Sequence, residues 1–496
     1  MRMAFVLMLG CTLFGYVAFR AYTLSFTHDE SLSYLNVKLF KIAVTAISHQ
    51  ENVTTVTLQA DRITSLLSAN THILNSLLML ISSALFGNGE LALRLPNLAA
   101  FILYLVYAYK IVRRLGRPLL VCGAYVIMIT NPFVLDFFCL ARGYGLATAC
   151  MLVSMYYFIP SDPGATPRRL PAYAWAMAAV YANFTLLNFY LALWATDLLF
   201  IYQGALWPAG HGHAPDTSSL SQRIVVILKQ YRVLFVVNTA FIVVTFAVML
   251  PLYTGKQFYF GSSAFWSGSV FSLVCDSLYQ KGSIALVRSI YTLVLLAAGL
   301  LSVQFAGRTY RSGRLDLRHM PFCVLVISML LCLLQHLLLK SPYPESRTGL
   351  YFIILFWISL FSGYSLFTLP SLQTAGRVSI LGCALFSAWG LVQSCNTDYV
   401  LSWKYEAHTR EVFERANAHR TELGIYADWI FEPTLNYYRF THKASHILPI
   451  SRSGSVPSNC RYFYYSDTTT APRTPPGEGI HREVFRDTGT ILDSIP

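Results

Sequence analysis

Residues 91–117 read LALRLPNLAAFILYLVYAYKIVRRLGR. The apolar part, 91–112, has about the length that crosses a bilayer as an α-helix. It stops on Arg113, Arg114 and Arg117, the kind of basic cluster that marks the cytoplasmic end of a span. The same unit recurs along the chain. Spans are expected at 4–24, 91–112, 118–138, 143–159, 172–189, 190–207, 233–253, 283–306, 321–339, 349–369 and 378–396, about eleven in all. With a cytoplasmic N-terminus and one crossing per span, every strongly basic short loop falls on the same side. Those loops carry Arg113, Arg114 and Arg117; Arg168 and Arg169; Arg223, Lys229 and Arg232; Arg308, Arg311, Arg314 and Arg318; and Arg377. The apolar run 72–87 is short for a crossing, and counting it would put Arg113, Arg114 and Arg117 outside. It is therefore expected to lie at the outer interface. Segment 27–50, with Leu32, Leu35, Leu39 and Ile42 at helical spacing, is read the same way.

The composition agrees. Of 496 residues, 55% are hydrophobic and 12% charged, against roughly 25% charged in soluble domains. The mean hydropathy is +0.49. The apolar runs are continuous and do not alternate, which argues against a β-barrel. The net charge of +13 sits in the short loops between spans, so it reports topology and argues for no nucleic-acid partner. The ten cysteines fall mostly inside apolar runs and form no Cys-x-x-Cys pair, which reads as buried small hydrophobes and not as a zinc or redox site. After the first apolar stretch no small-x-small cleavage site follows, so a retained span is expected there and not a cleaved signal peptide.

The expected architecture is an all-α polytopic membrane domain, 1–396, with interfacial helices in the outer loop 25–90, followed by a small extracytoplasmic α/β domain, 397–496. The tail is charged and carries no span. Tyr462–Tyr465 (YFYY) suggests a strand and 403–423 a helix, while Thr, Pro and Gly crowd together from 466 onward, an end expected to be loosely ordered. No internal repeat of the kind that marks paired transporter halves is visible.

Residues able to carry chemistry gather on the outer side. Thr27-His28-Asp29-Glu30 follows the first span. Asp29 there can act as a general base at the membrane surface, whereas Thr27 and Glu30 also match a capping box, in which Glu30 only satisfies an amide. His72 opens the run 72–87 and can donate to a phosphate or join Asp29 on a metal. Asp136 and Arg142 flank the turn between two spans, where Arg142 can hold a phosphate and Asp136 can pair with it or with a metal. Arg347, after Pro342 and Pro344, stands on the outer side against the charge rule and can clamp a phosphate. Arg94 gets the same reading with less weight. His211 and His213 are a weak metal signal in a cytoplasmic loop.

The order of these features resembles the GT-C superfamily of membrane glycosyltransferases. It is nearest to the protein O-mannosyltransferase group (family 39) and the lipid A aminoarabinose transferases (family 83). The resemblance rests on the acidic pair after the first span, the run ending Leu85-Phe86-Gly87, then Glu90, Arg94-Leu95-Pro96 and Arg113-Arg114. It covers roughly 27–160 and again 340–370. It implies that Asp29 is the catalytic acid, with Glu30 beside it as a second acid, and that Arg347, with Arg142 and His72, meets the donor phosphate. It also implies that Asp29 and Asp136 hold a divalent metal if one is used. Asn70-Thr71-His72 lacks the prolines many members have at that place. The implied partners are a polyprenyl-phosphate-linked sugar as donor and a lipid, glycan or protein as acceptor, in a bacterial inner membrane. A transporter or flippase of lipid-linked sugar is the main alternative, and it predicts ionisable residues at mid-membrane and repeat symmetry. A non-catalytic scaffold is a further one.

Overall fold

A computed structural model of the chain describes all residues except 1, 36–37, 39–71, 161–165, 207–219, 255–259, 420, 453–455, 458, 467–479 and 496. The remainder of the expected interfacial segment 27–50, and His211 and His213, lie outside the described residues. Among the described residues eight helices are long and apolar enough to cross a membrane by length and composition: Arg2–Thr23, Glu90–Leu115, Phe184–Gln203, Tyr231–Thr254, Ile284–Ser312, Leu317–Leu339, Ser346–Tyr364 and Pro370–Ser394. The other three expected spans are shorter helices, Pro118–Ile129, Gly143–Phe158 and Arg169–Ala182, of 12, 16 and 14 residues. Thr130 leaves helical geometry and a second short helix, Pro132–Asp136, takes over, because Pro132 has no N–H for the preceding turn. The chain is an integral membrane protein, and leucines such as Leu385 (74% exposed) and Leu300 (70%) on its long helices suit lipid and not water.

The chain divides into two compact units. The first comprises 1–13, 99–135 and 143–395, and its elements among the described residues are helices, with one two-residue bridge, Ser262 to Tyr343. Its helices pack through small residues. A Cβ on Gly123 would sit 3.2 Å from Leu381, so this glycine lets Pro118–Ile129 and Pro370–Ser394 approach closely.

The second unit comprises 14–98, 136–142 and 396–496. It joins the end of the first helix, the acidic pair, the short helix Ile73–Phe86, the start of helix Glu90–Val112, the turn 136–142 and the tail. The tail carries a four-stranded sheet, β1 (Gly424–Ala427), β2 (Cys460–Tyr465), β3 (His481–Val484) and β4 (Ile491–Ser494), in the order β1-β2-β4-β3. β1 and β2 are parallel and the other pairs antiparallel. The expected strand at Tyr462–Tyr465 is β2. The expected helix 403–423 is a 3-10 turn, Leu401–Glu406, and a helix, Thr409–Asn417. Of the end expected to be loose, 467–479 lies outside the described residues; β3 and β4 follow it, and Ile491 and Leu492 of β4 enter two different apolar clusters, as the period of two of a strand requires. One core holds Phe431, Leu435, Ile425 and Val412 of the tail together with Phe26, Met79, Leu93 and Ala141. The tail and the residues around the acidic pair therefore share one apolar interior.

Candidate active site

The chain after the first helix turns into a second helix over 28–35. Its start is a capping box: the Thr27 amide donates to Glu30 Oε2 (2.9 Å) and the Glu30 amide to Thr27 Oγ1 (3.4 Å). Glu30 does more than cap. Arg94 Nε donates to its Oε1 (2.9 Å), Arg94 Nη2 to its Oε2 (2.8 Å) and the Ala141 amide to Oε1 (2.6 Å). Both side chains of the pair are fully buried. Arg94 spends its remaining donors on the carbonyls of Ala21, Leu24 and Ser25 at 2.9–3.0 Å. A buried charge survives only when its partners are supplied this completely. The two ions thus fix the exit of the first helix, the start of the second and the 136–142 turn as one block.

Asp29, one residue earlier, stands differently. Its carboxylate is 10% exposed and lies 3.5 Å from Arg142 Nη2. Arg142 is fully buried, and its Nη1 donates to the Asp29 carbonyl (3.1 Å) and to Ser33 Oγ (2.7 Å). The expected phosphate clamp is thus committed to the acidic helix. Ala141 beside it is held on both sides: its amide goes to Glu30, and its carbonyl accepts from Asn75 Nδ2 (2.9 Å), while Asn97 Nδ2 donates to Asn75 Oδ1 (2.8 Å). Asn75 and Asn97 give no motif in the sequence. Only their inward spacing on two apolar helices, at otherwise oily positions, signals them.

Asp136 does not pair with Arg142. Its Oδ1 accepts from Arg20 Nη1 (2.7 Å) and its Oδ2 from the Leu401 amide (2.8 Å), because the turn directs it to the end of the first helix and the start of the tail. Among the described residues no three of His, Cys, Asp and Glu converge as metal ligands. With Asp136 engaged by Arg20 and Asp29 by Arg142, these residues do not fit a divalent ion shared by the two acids. His72 is buried and forms the N-cap position of helix Ile73–Phe86.

Two further acids stand in this unit: Glu406, which sequence reasoning missed, and Glu90, which entered it only as part of the resemblance and with no role. Glu406 is buried, accepts from Thr409 Oγ1 (2.7 Å) and Thr434 Oγ1 (3.2 Å), and lies close enough to feel the His28 amide and the Asp29 charge. Burial pushes its carboxyl up to about 8, against hydrogen bonds that favour ionisation. Glu90 accepts from Arg410 Nε (3.1 Å) and Tyr438 Oη (2.5 Å) and lines a cavity of about 340 Å³ with Asn88, Tyr437 and Thr441.

Arg347 belongs to the first unit. It lies in the 3-10 turn Ser346–Gly349, whose start is closed by Glu345 and Thr348, with its guanidinium 4.6 Å from the Phe260 ring centre. Lys340 and Ser346 both take positive φ, 54° and 49°. The loop is tied down by a two-bond bridge, Ser262 amide to Tyr343 carbonyl (3.0 Å) and the reverse (2.8 Å). Gly261 makes that approach possible, since a Cβ there would fall 2.3 Å from the Tyr343 oxygen. Buried Asp276, in the same unit, holds Ser346 and Gln280, and burial raises its carboxyl pKa.

No family model matches the sequence, and no curated protein matches it. Solved structures do. The crystal structure of ArnT from Cupriavidus metallidurans bound to undecaprenyl phosphate matches with a TM-score of 0.51 at 12% identity, over 99% of this chain and 97% of that one. The apo form of the same protein matches over the same shares with a TM-score of 0.50. The Archaeoglobus fulgidus oligosaccharyltransferase, solved with zinc and sulfate, aligns with 80% of this chain and 59% of that one, at 11% identity and a TM-score of 0.37. At such identity the likeness is one of fold: the chain is built on the overall fold of ArnT from end to end.

Proposed function

We propose that the chain is a membrane glycosyltransferase that moves a sugar from a polyprenyl-phosphate donor to an acceptor at the outer face, in a bacterial inner membrane. The observation that carries this reading is the contrast within the acidic pair. Glu30 is saturated and sealed, while Asp29 keeps partial exposure on a helix held rigid from below. That suits a general base: a fixed direction, a carboxylate that is not wholly sealed and a cation to hold its charge. The fold shared with a protein crystallised on undecaprenyl phosphate supports the donor class.

In this reading the acceptor hydroxyl attacks the anomeric carbon from the face opposite the phosphate and the configuration inverts. The bond from that carbon to the phosphate oxygen breaks, and the hydroxyl proton passes to Asp29. Arg142 orients Asp29, and Glu30 with Arg94 fixes the backbone on which it stands. His72 donates to the departing phosphate, where the largest charge develops; Arg347 is proposed as a cation for the donor by its residue type. No step is assigned to a metal ion.

Purified protein in lipid nanodiscs is incubated with a panel of polyprenyl-phosphate sugars, and loss of sugar from the carrier is followed for wild type and Asp29→Asn. Donor consumption by wild type and its loss in the variant are expected. Equal consumption by the two proteins, or none with any donor, overturns the proposal.

A further inference from the structure

The turn that leaves β1, residues 428–431, is held at several points. Asp428 Oδ2 accepts from the Ser466 amide (2.8 Å) and hydroxyl (2.9 Å). The Asp428 amide donates to the Tyr464 carbonyl (3.1 Å), and the Phe431 amide closes the turn on the Asp428 carbonyl (2.9 Å). His28 Nδ1 donates to the Ile430 carbonyl (2.7 Å). Phe431 is fully buried, yet Trp429 in the same turn is 56% exposed. The rigid turn therefore holds a large apolar ring out of the core.

What surrounds that ring is polar and specific. The His28 imidazole meets it edge-on, with centroids 5.7 Å apart at 87°. The Arg452 guanidinium stands 5.6 Å from its centre, within cation–π range. His28 is itself buried and directly precedes Asp29. An indole of this kind offers a flat apolar face to the C–H face of a pyranose, and an arginine beside it offers a forked donor to a carboxylate or phosphate. An indole that merely beds in headgroups needs neither a braced turn nor a cation gathered on its ring.

We propose that Trp429, Arg452 and His28 form a saccharide subsite beside Asp29 that takes a pyranose ring bearing an anionic group. Its assignment to the acceptor, and not to the donor, rests on the transferase reading; the binding itself does not.

The test uses the full chain in nanodiscs of neutral lipid, titrated with trigalacturonate and with neutral galactotriose, and read by saturation-transfer NMR. Wild type binds trigalacturonate more tightly than galactotriose. Trp429→Ala weakens both by roughly tenfold or more, the loss expected of a stacking aromatic, and Trp429→Phe recovers part of it. Arg452→Gln removes the preference for the anionic sugar and leaves the neutral one unchanged. Unchanged thermal unfolding of these exposed-site variants shows that the fold is intact. Wild-type affinity in Trp429→Ala, binding of neither sugar by wild type, or quenching of the Trp429 fluorescence by brominated lipid overturns the subsite. If Asp29→Asn consumes donor at the wild-type rate, the transferase reading fails while the subsite stands.

Discussion

Two regions carry the residues proposed for chemistry, and they are held by different forces. Around Asp29, in the second unit, position is set by charge: Arg94 on Glu30, Arg142 on Asp29 and Arg20 on Asp136, all buried or nearly so. Around Arg347, in the first unit, position is set by backbone: two residues at positive φ, a two-bond bridge and a glycine that no larger residue can replace in place. Charge lattices fail steeply when one member is removed, because the buried ion left behind has lost its counter-charge. Backbone devices fail locally, since they store strain in one loop.

The comparison breaks most sharply at Asp29 itself. Asp29→Asn is expected to lower donor consumption by about 10²–10⁴-fold, the span of general-base catalysis, with little change in thermal unfolding. A large loss of stability in place of activity would make Asp29 another lattice member. Glu30→Ala should do the reverse. It leaves the Arg94 guanidinium buried without its counter-charge, and a cost of about 3–5 kcal/mol is expected, read as a lower unfolding temperature and poor recovery of folded protein. A variant that folds normally but is inactive would assign Glu30 to the reaction.

Gly261→Ala probes the other region. Overpacking against Tyr343 is expected to cost about 1–3 kcal/mol and to raise the donor KM with kcat nearly kept. A fall in kcat alone would show that the Arg347 loop does not serve donor binding.

Glu406 gives an effect that depends on pH. Its carboxyl is raised from 4.5 to about 8 in the fold, so the folded chain holds a proton that the unfolded chain releases. The stability this contributes is complete below about pH 4.5 and is lost as pH rises through about 8. The groups around it are the Asp29 charge, the Thr409 and Thr434 hydroxyls and the His28 amide. Glu406→Gln, which stays neutral, is expected to flatten the fall in unfolding temperature between pH 5 and 8.5. Parallel slopes for the two proteins would place the effect elsewhere.

The membrane character, the helices and the strand at Tyr462–Tyr465 were legible in the sequence. Apolar run length, terminal arginines and residue type are local properties, and a bilayer reads them locally. The capping box at Thr27 and Glu30 was legible for the same reason, since its members lie three residues apart. What Glu30 does beyond capping was not, because Arg94 is 64 residues away and Ala141 is 111. The partner of Asp136 could not be read either. Arg142 is near it in sequence, yet Arg20 reaches it across 116 residues, and a carboxylate answers to the nearest cation in space. β3 and β4 escaped notice because a Thr- and Pro-rich stretch separates them from β2, and only pairing with a neighbour makes such short segments strands. Sequence thus determined which segments enter the membrane and which residue types stand ready. Only the tertiary structure decided which acid is sealed completely by its arginine and which keeps a tenth of its side chain exposed, because burial and distance are properties of the folded whole.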